Sequence, residues 1–254
     1  MPLLPLPALA DNYIWTLSDA GPRAIVVDPG EAAPMLAAAE RGLQPAAVLL
    51  THHHPDHIGG TGGLRARWPD LPVFAPHDDR ITIDCDRVAD GDTIETGGWR
   101  FEVIAVPGHT RTHVAYFGHG VVFSGDTLFS LGCGRLFEGT PAQMVSSLAR
   151  LAELPADTQV CCGHEYTVAN AAFARVVDPD NQALAQRSES ASALRRSGQP
   201  TVPSTLAEEL ATNPFLRVDS DAVRTAIARR LGRQPHDRTE TFAELRQWKD
   251  GFTA

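Results

Sequence analysis

Thr51-His52-His53-His54-Pro55-Asp56-His57 packs four imidazoles and one carboxylate into seven consecutive positions. A folded protein has little reason for such a run other than holding metal. Nitrogen and oxygen donors without thiolate suit zinc, iron or manganese kept open for chemistry, rather than a closed structural zinc site. Within the run, His52, His54, Asp56 and His57 follow an H-x-H-x-D-H spacing. On a tight loop, alternate side chains can face two neighbouring positions, so one segment could serve two ions. Four donors cannot complete two coordination spheres, and the remaining ligands must come from elsewhere in the chain.

Three further stretches share one design. Val103-Ile104-Ala105-Val106 runs into Pro107-Gly108-His109-Thr110, Gly120-Val121-Val122-Phe123 into Ser124-Gly125-Asp126-Thr127, and Thr158-Gln159-Val160-Cys161-Cys162 into Gly163-His164-Glu165. The histidine run itself follows Ala46-Ala47-Val48-Leu49-Leu50. Each is an apolar run of strand length ending in a potential ligand, usually after a glycine that lets the backbone turn sharply. Open sheets of α/β proteins place their ligand sites at the C-terminal ends of strands, and here four strands deliver His or Asp to such ends.

Composition sets the frame around these stretches. At 254 residues with 43% hydrophobic content the chain can bury a substantial core in one large domain or two. Charge is uneven: residues 1–166 carry 10 Lys+Arg against 20 Asp+Glu, and residues 167–254 carry 12 against 11. The resulting −10 and +1 sum to the net −9. That balance argues against nucleic acid or an anionic membrane as the main partner, since both need a basic face. The apolar start, Met1 to Ala10, has three prolines and no positive n-region, and reads as loop plus edge strand rather than a signal peptide. No apolar run reaches membrane-spanning length. Cys85, Cys133, Cys161 and Cys162 have no metal or disulfide spacing, and reduced thiols in the cytoplasm are the expectation.

The texture changes near Tyr166. Before it, strand-like runs (Ala24–Asp28, Trp99–Val106) alternate with helical stretches (Pro34–Arg41, Gly63–Trp68, and Pro141–Glu153 capped by Thr140). After it, strand signals vanish, and Asn181–Arg196, Thr205–Ala211, Ser220–Leu231 and Thr239–Lys249 carry apolar residues at helical spacing, with Ser220 or Thr239 as caps. The expectation is an α/β domain over 1–166 followed by a helical one over 167–254.

The histidine run, with His109, Asp126 and His164 downstream, resembles the metallo-β-lactamase superfamily. Gly132-Cys133-Gly134-Arg135-Leu136-Phe137-Glu138-Gly139, Cys162-Gly163-His164-Glu165-Tyr166-Thr167, Thr201-Val202-Pro203-Ser204-Thr205-Leu206 and Asn213-Pro214-Phe215 narrow the likeness to the glyoxalase II, or hydroxyacylglutathione hydrolase, family. The similarity runs from about Leu9 to Lys249. It implies a four-layer αββα sandwich followed by a small all-helical C-terminal domain. It also implies a dinuclear centre: His52, His54 and His109 on one ion, Asp56, His57 and His164 on the other, and Asp126 bridging both. Zinc is the first expectation for both ions, with iron or manganese as alternatives. Glutathione would be held by Arg135, Phe137, Tyr166, Arg246 and Lys249. Three positions depart from relatives: Arg135 where Lys is frequent, Phe137 where some have Tyr, and Pro55 where Trp is frequent.

The activity so implied is hydrolysis of S-(2-hydroxyacyl)glutathione, such as S-lactoylglutathione, to glutathione and D-lactate, the second step of methylglyoxal detoxification. The seven ligands act through a hydroxide made by the metal pair. Within the superfamily, a mononuclear-iron persulfide dioxygenase or a phosphodiesterase is the alternative; the first would leave Asp56 and His57 without metal, and the second would call for basic surface. A metal-binding module without turnover would have no use for a glutathione clamp. Lys249 is the single lysine of the chain, which suits a compact ammonium at that position. A monomer is expected. Behind the ligands, Asp28 and His113 are candidates to orient imidazoles; His53, His77, His119 and His236 carry no assigned role.

Overall fold

The four apolar runs that end in candidate ligands all fold as strands in the computed structural model, which describes residues Met1–Thr253. In chain order the elements are β1 (Leu3–Ala8), β2 (Asn12–Ser18), β3 (Arg23–Val27), α1 (Ala33–Glu40), β4 (Gln44–Leu49), α2 (Pro55–Ile58), α3 (Thr61–Arg67), β5 (Val73–Pro76), β6 (Asp86–Val88), β7 (Thr93–Thr96), β8 (Trp99–Ala105), β9 (Val114–Gly118) and β10 (Val121–Gly125). There follow β11 (Leu128–Phe129), β12 (Gly132–Cys133), α4 (Pro141–Ala152), β13 (Gln159–Cys162), α5 (Thr167–Val177), α6 (Gln182–Arg196), β14 (Ser204–Thr205), α7 (Leu206–Thr212), α8 (Asp221–Leu231) and α9 (Arg238–Asp250). By backbone contacts the chain forms two compact units: Met1–Ala105 with Thr112–Gly125 and Cys161–His164, and Val106–Arg111 with Asp126–Val160 and Glu165–Ala254.

The first unit is built on two sheets. One runs β1-β2-β3-β4-β5-β6. Its β1, β2 and β3 are antiparallel, while β3, β4, β5 and β6 are parallel. Parallel neighbours need a crossover; α1 supplies it between β3 and β4, and α2 with α3 between β4 and β5. These helices close one face of the sheet: Met35 and Ala38 of α1 and Leu64 of α3 join Val26, Val48 and Val73 in one buried cluster. The second sheet is an antiparallel meander, β7-β8-β9-β10, beside which lies the Cys161–Cys162 end of β13. β2 and β10 are buried along their whole length. Two side chains tie the sheets: Trp15 Nε1 donates to Cys162 O at 2.8 Å and the Tyr116 hydroxyl to Leu50 O at 2.7 Å.

The second unit is mostly helical, and its caps follow from sequence. Thr140 and Gln143 form a reciprocal capping box on α4, and Asn181, Thr205, Ser220 and Asp237 each accept a hydrogen bond from the first turn of α6, α7, α8 and α9. Asp237, not Thr239, is therefore the cap of α9; its side chain reaches Glu240 N at 2.8 Å. After Tyr166 two elements were not anticipated. α5 lies where no helix was expected, because its valines and Asn170 dilute the helical pattern; burial of Ala171, Phe173 and Ala174 holds it instead. The short strand β14 pairs with Gln159 and Val160, so strand is not absent after Tyr166.

The motif residues of this unit serve as its struts. Buried Glu209 accepts from Leu131 N (2.8 Å) and Asn213 Nδ2 (3.0 Å), and the same Asn213 amide donates to Phe129 O and Gly132 O. The β11–β12 hairpin is thereby pinned to the end of α7. Glu165 likewise accepts from Thr201 N (2.9 Å) and from the Thr201 hydroxyl.

Candidate metal centre

The chain after β4 changes direction at Pro55. His54 lies on extended backbone, and Pro55 occupies the first position of α2, where a missing N–H leaves no hydrogen bond unmade. The His52 and His54 rings converge, while Asp56 and His57 lie on the first helical turn. Gly30 allows this turn to sit close, since a Cβ there would lie 2.0 Å from Asp56 O.

One buried carboxylate sets two ring tautomers in the first unit. Asp28 Oδ1 accepts from Thr51 N at 2.8 Å; Asp28 Oδ2 accepts from the Thr51 hydroxyl at 2.6 Å and from His57 Nδ1 at 2.9 Å. The Thr51 hydroxyl, having donated its one proton to Asp28, accepts from His52 Nδ1 at 3.0 Å. Both histidines are thus protonated at Nδ1 and present a lone pair at Nε2. Asp28, His52 and His57 are close enough together to be taken for a metal triad, but the Asp28 oxygens are already committed to Thr51 and His57. Asp28 orients the imidazoles of His57 and, through Thr51, His52, the role for which the sequence made it a candidate.

His164 is held in the same manner. Its Nδ1 donates to Asp11 Oδ1 at 2.8 Å, which leaves Nε2 facing Asp56 Oδ2 at 3.5 Å; His57 Nε2 lies 3.6 Å from that same oxygen. Donor atoms about 2.0–2.1 Å from a tetrahedral metal stand roughly 3.3 Å from one another. Two imidazole lone pairs and a carboxylate oxygen converging at that spacing repel unless a cation lies among them, so Asp56, His57 and His164 fit one divalent ion. His52 Nε2 and His54 Nδ1 converge at 3.0 Å, and the His113 ring stacks on His52 with centroids 4.6 Å apart. His53 packs edge-on to His54, with its Nδ1 3.5 Å from Asp78 Oδ2. Asp78 is held well below the usual carboxylate range, chiefly by the Arg80 guanidinium.

In the second unit His109 and Asp126 lie together. His109 Nδ1 donates to Arg135 O at 2.9 Å, and its Nε2 is 3.4 Å from Asp126 Oδ2, again the edge of a tetrahedron. The turn that carries them has room only for glycine at 134: a Cβ there would stand 1.9 Å from Asp126 O. Asp126 follows Gly125, whose φ of +48° puts it in the left-handed region that favours glycine.

The same unit gathers the expected substrate contacts. Arg246 is buried; its guanidinium donates to Cys133 O at 2.8 Å and meets Asp250 Oδ1 at 3.0 Å. Arg135 approaches the same Asp250 oxygen at 3.5 Å. Lys249 donates to Ala169 O at 3.2 Å, and its pKa is pushed down by burial and by the nearby Arg246 and Arg135 charges, against the pull of Asp250. The exposed Phe137 ring stands edge-on to His109, and Tyr166 packs edge-on to Phe129. Sequence reading missed Asp11, Asn12 and the Thr51 relay. The thiols of Cys133 and Cys161 are buried with raised pKa, Cys133 at about 11, as non-reactive thiols are. Among the described residues no helix is long and apolar enough to cross a membrane.

Residues 15–164 match the family model described as metallo-beta-lactamase superfamily, and residues 165–252 that described as hydroxyacylglutathione hydrolase C-terminus. A hydroxyacylglutathione hydrolase of Xanthomonas axonopodis pv. citri is 57% identical, with both chains fully covered. Among solved structures, ETHE1 from Myxococcus xanthus aligns with a TM-score of 0.66 at 25% identity, over 99% of this chain and all of that one. TTHA1623 in a di-iron-bound form aligns with a TM-score of 0.55 at 30% identity, over 63% of this chain and 91% of that one.

Proposed function

The chain belongs to the hydroxyacylglutathione hydrolase family of the metallo-beta-lactamase superfamily, and from that premise we propose how its own residues serve the reaction. It is a thioester hydrolase acting on hydroxyacylglutathione. The substrate proposed is the S-(2-hydroxyacyl) thioester, S-lactoylglutathione foremost, giving glutathione and D-lactate.

Asp56, His57 and His164 are proposed to hold one divalent ion, and His52, His54 and His109 a second, with Asp126 shared by both; zinc is the metal proposed. Bound ions of this kind lower the pKa of a coordinated water to near neutrality and stabilise the oxyanion of a tetrahedral intermediate. The observation that carries the reading is the convergence of His57 Nε2, His164 Nε2 and Asp56 Oδ2 with each imidazole anchored at its far nitrogen. A mononuclear centre would leave that set unused. The protein's other contribution is placement. Residues 1–166 are proposed to carry the metals and 167–254 to bind glutathione: Arg246 and Lys249, joined by Arg135 from the first segment, would supply positive charge to its carboxylates, and Phe137 and Tyr166, also from the first segment, apolar contact. Arg246 is buried as well as bound to Asp250 and Cys133 O, so the less buried Lys249 and Arg135 would make the more adaptable contacts.

The test is hydrolysis of S-lactoylglutathione followed at the thioester absorbance, before and after chelation, with metal counted per chain. Turnover lost on chelation and restored with two equivalents of metal supports the reading. One iron with oxygen consumption, or metal without turnover, would overturn it. Lys249→Ala should mainly raise KM, since its contact acts on ground and transition states alike.

A further inference from the structure

We propose that the turn between β1 and β2 is a dedicated clamp for one of the two metal positions, with Asp11 and Asn12 as positioning residues for the ion of Asp56, His57 and His164. The inference rests on the dinuclear reading above and goes beyond it by assigning two residues far from the histidine run.

Asp11 and Asn12 are adjacent, yet each grips a different member of the ligand set. Asp11 Oδ1 takes the Nδ1 proton of His164 at 2.8 Å. Asn12 Nδ2 donates both to Asp56 Oδ2 at 3.0 Å and to Asp56 O at 3.2 Å. The backbones are fixed too: Asn12 and His164 form an isolated antiparallel bridge, and Tyr13 N donates to Gly163 O at 2.8 Å. Asn12 is itself buried, which keeps its amide from exchanging partners with water.

The chemistry of each contact is specific. A carboxylate on Nδ1 fixes the tautomer that leaves Nε2 as donor and makes that nitrogen more basic. The amide on Asp56 fixes which way the carboxylate plane turns, while one lone pair of Oδ2 stays engaged. Asp28 does the equivalent for His57, but through Thr51 it also touches His52, so it acts on both positions. Asp11 and Asn12 touch ligands of one position only. The turn therefore sets the affinity of that ion apart from the other, and with it whether the protein carries one metal or two.

The experiment titrates chelator-stripped full-length protein with zinc against a chromophoric competitor, for the parent chain and for Asp11→Ala, Asp11→Asn, Asp11→Glu and Asn12→Ala. The expected result is two binding steps in the parent. Asp11→Ala and Asn12→Ala should weaken one step by about 10- to 100-fold, leave the other within twofold, and leave the melting temperature of the metal-free protein unchanged. Asp11→Asn, which keeps an acceptor without charge, should fall between, and Asp11→Glu should recover part of the loss. In the downfield proton spectrum, the Nδ1–H resonance that disappears in His164→Gln should shift in Asp11→Asn, a signature that loss of general stability does not produce. A parent chain with a single zinc step would sink the dinuclear reading and this assignment together. Two steps in the parent that persist at full affinity in every variant would overturn the assignment alone. So would equal weakening of both steps with a fall in the metal-free melting temperature.

Discussion

Replacing Asp28 tests whether one buried carboxylate sets the tautomers of His52 and His57. Asp28 accepts three hydrogen bonds, from Thr51 N, the Thr51 hydroxyl and His57 Nδ1, and its φ of +50° is one that Asp and Asn tolerate better than other non-glycine residues. Asp28→Ala leaves buried donors unmet at about 1–3 kcal/mol each and adds the left-handed backbone cost of about 1–2 kcal/mol. With partial relaxation, roughly 3–5 kcal/mol is expected, and at about 2–4 °C per kcal/mol for a chain of this size the metal-free melting temperature should fall by roughly 6–20 °C. Asp28→Asn is the sharper variant. It keeps the shape and suits the backbone, but if its amide NH₂ takes the place of Oδ2 it faces two donors. His57 can then bond to it only by presenting an unprotonated Nδ1, which puts the proton on Nε2 and removes the lone pair a metal needs. Zinc affinity should therefore drop by about 10- to 100-fold while stability drops far less than in the alanine variant. Thermal melting of metal-free protein and zinc competition separate the two effects. Asp28→Asn with undiminished zinc affinity, or Asp28→Ala within about 1 kcal/mol of the parent, would refute the relay.

Three more outcomes follow from the second unit. Lys249 has a pKa lowered by burial and by Arg246 and Arg135, so it should lose its charge at a lower pH than an ordinary lysine; KM for a glutathione thioester should climb with pH below 10.5, and Lys249→Arg should abolish the climb. Buried Glu209 has its pKa raised by desolvation: the native state holds its proton above the unfolded pKa, so its share of stability is greatest below that pKa and is lost as pH rises through the folded one. Glu209→Gln should therefore gain melting temperature relative to the parent between pH 4.5 and pH 8, and parallel pH profiles would contradict the burial argument. Gly134→Ala would drive a Cβ to within 1.9 Å of Asp126 O and 3.2 Å of His109 Nδ1, backbone and ligand that have little freedom to move; a loss of at least about 1–3 kcal/mol in chemical unfolding is expected, together with weaker metal uptake, and normal values for both would show the turn to be pliant.

The parts of this molecule that sequence made legible are those whose physics is local. Val48 and Leu49, or Val121 to Phe123, announce buried strands by their own side chains, and His52, Asp126 and His164 stand out because donors follow such runs at once. Two caps were legible for the same reason, since Thr140 and Ser220 each act on a group three residues away, whereas α9 is capped by Asp237 and not by Thr239. The anchors were not, and for two distinct reasons. Asp11 reaches His164 across 153 residues and Asn12 reaches Asp56 across 44, and neither separation leaves a periodic trace. His109 is oriented by the backbone carbonyl of Arg135, an acceptor that every residue carries, so no side chain at 135 could have signalled it. Asp28 was accessible as a candidate because it, too, ends a strand, β3. Its effect on His52 was hidden in the hydroxyl of Thr51, where the functional content lies in the direction of one proton. A ligand set can thus be read as a list of residue types, whereas its protonation pattern is a property of the folded chain: the Nδ1 of His52, His57, His109 and His164 meets a hydroxyl, a carboxylate, a carbonyl and a second carboxylate. Four acceptors of three chemical kinds impose the same tautomer, and the one result common to all four is an Nε2 lone pair offered to a cation.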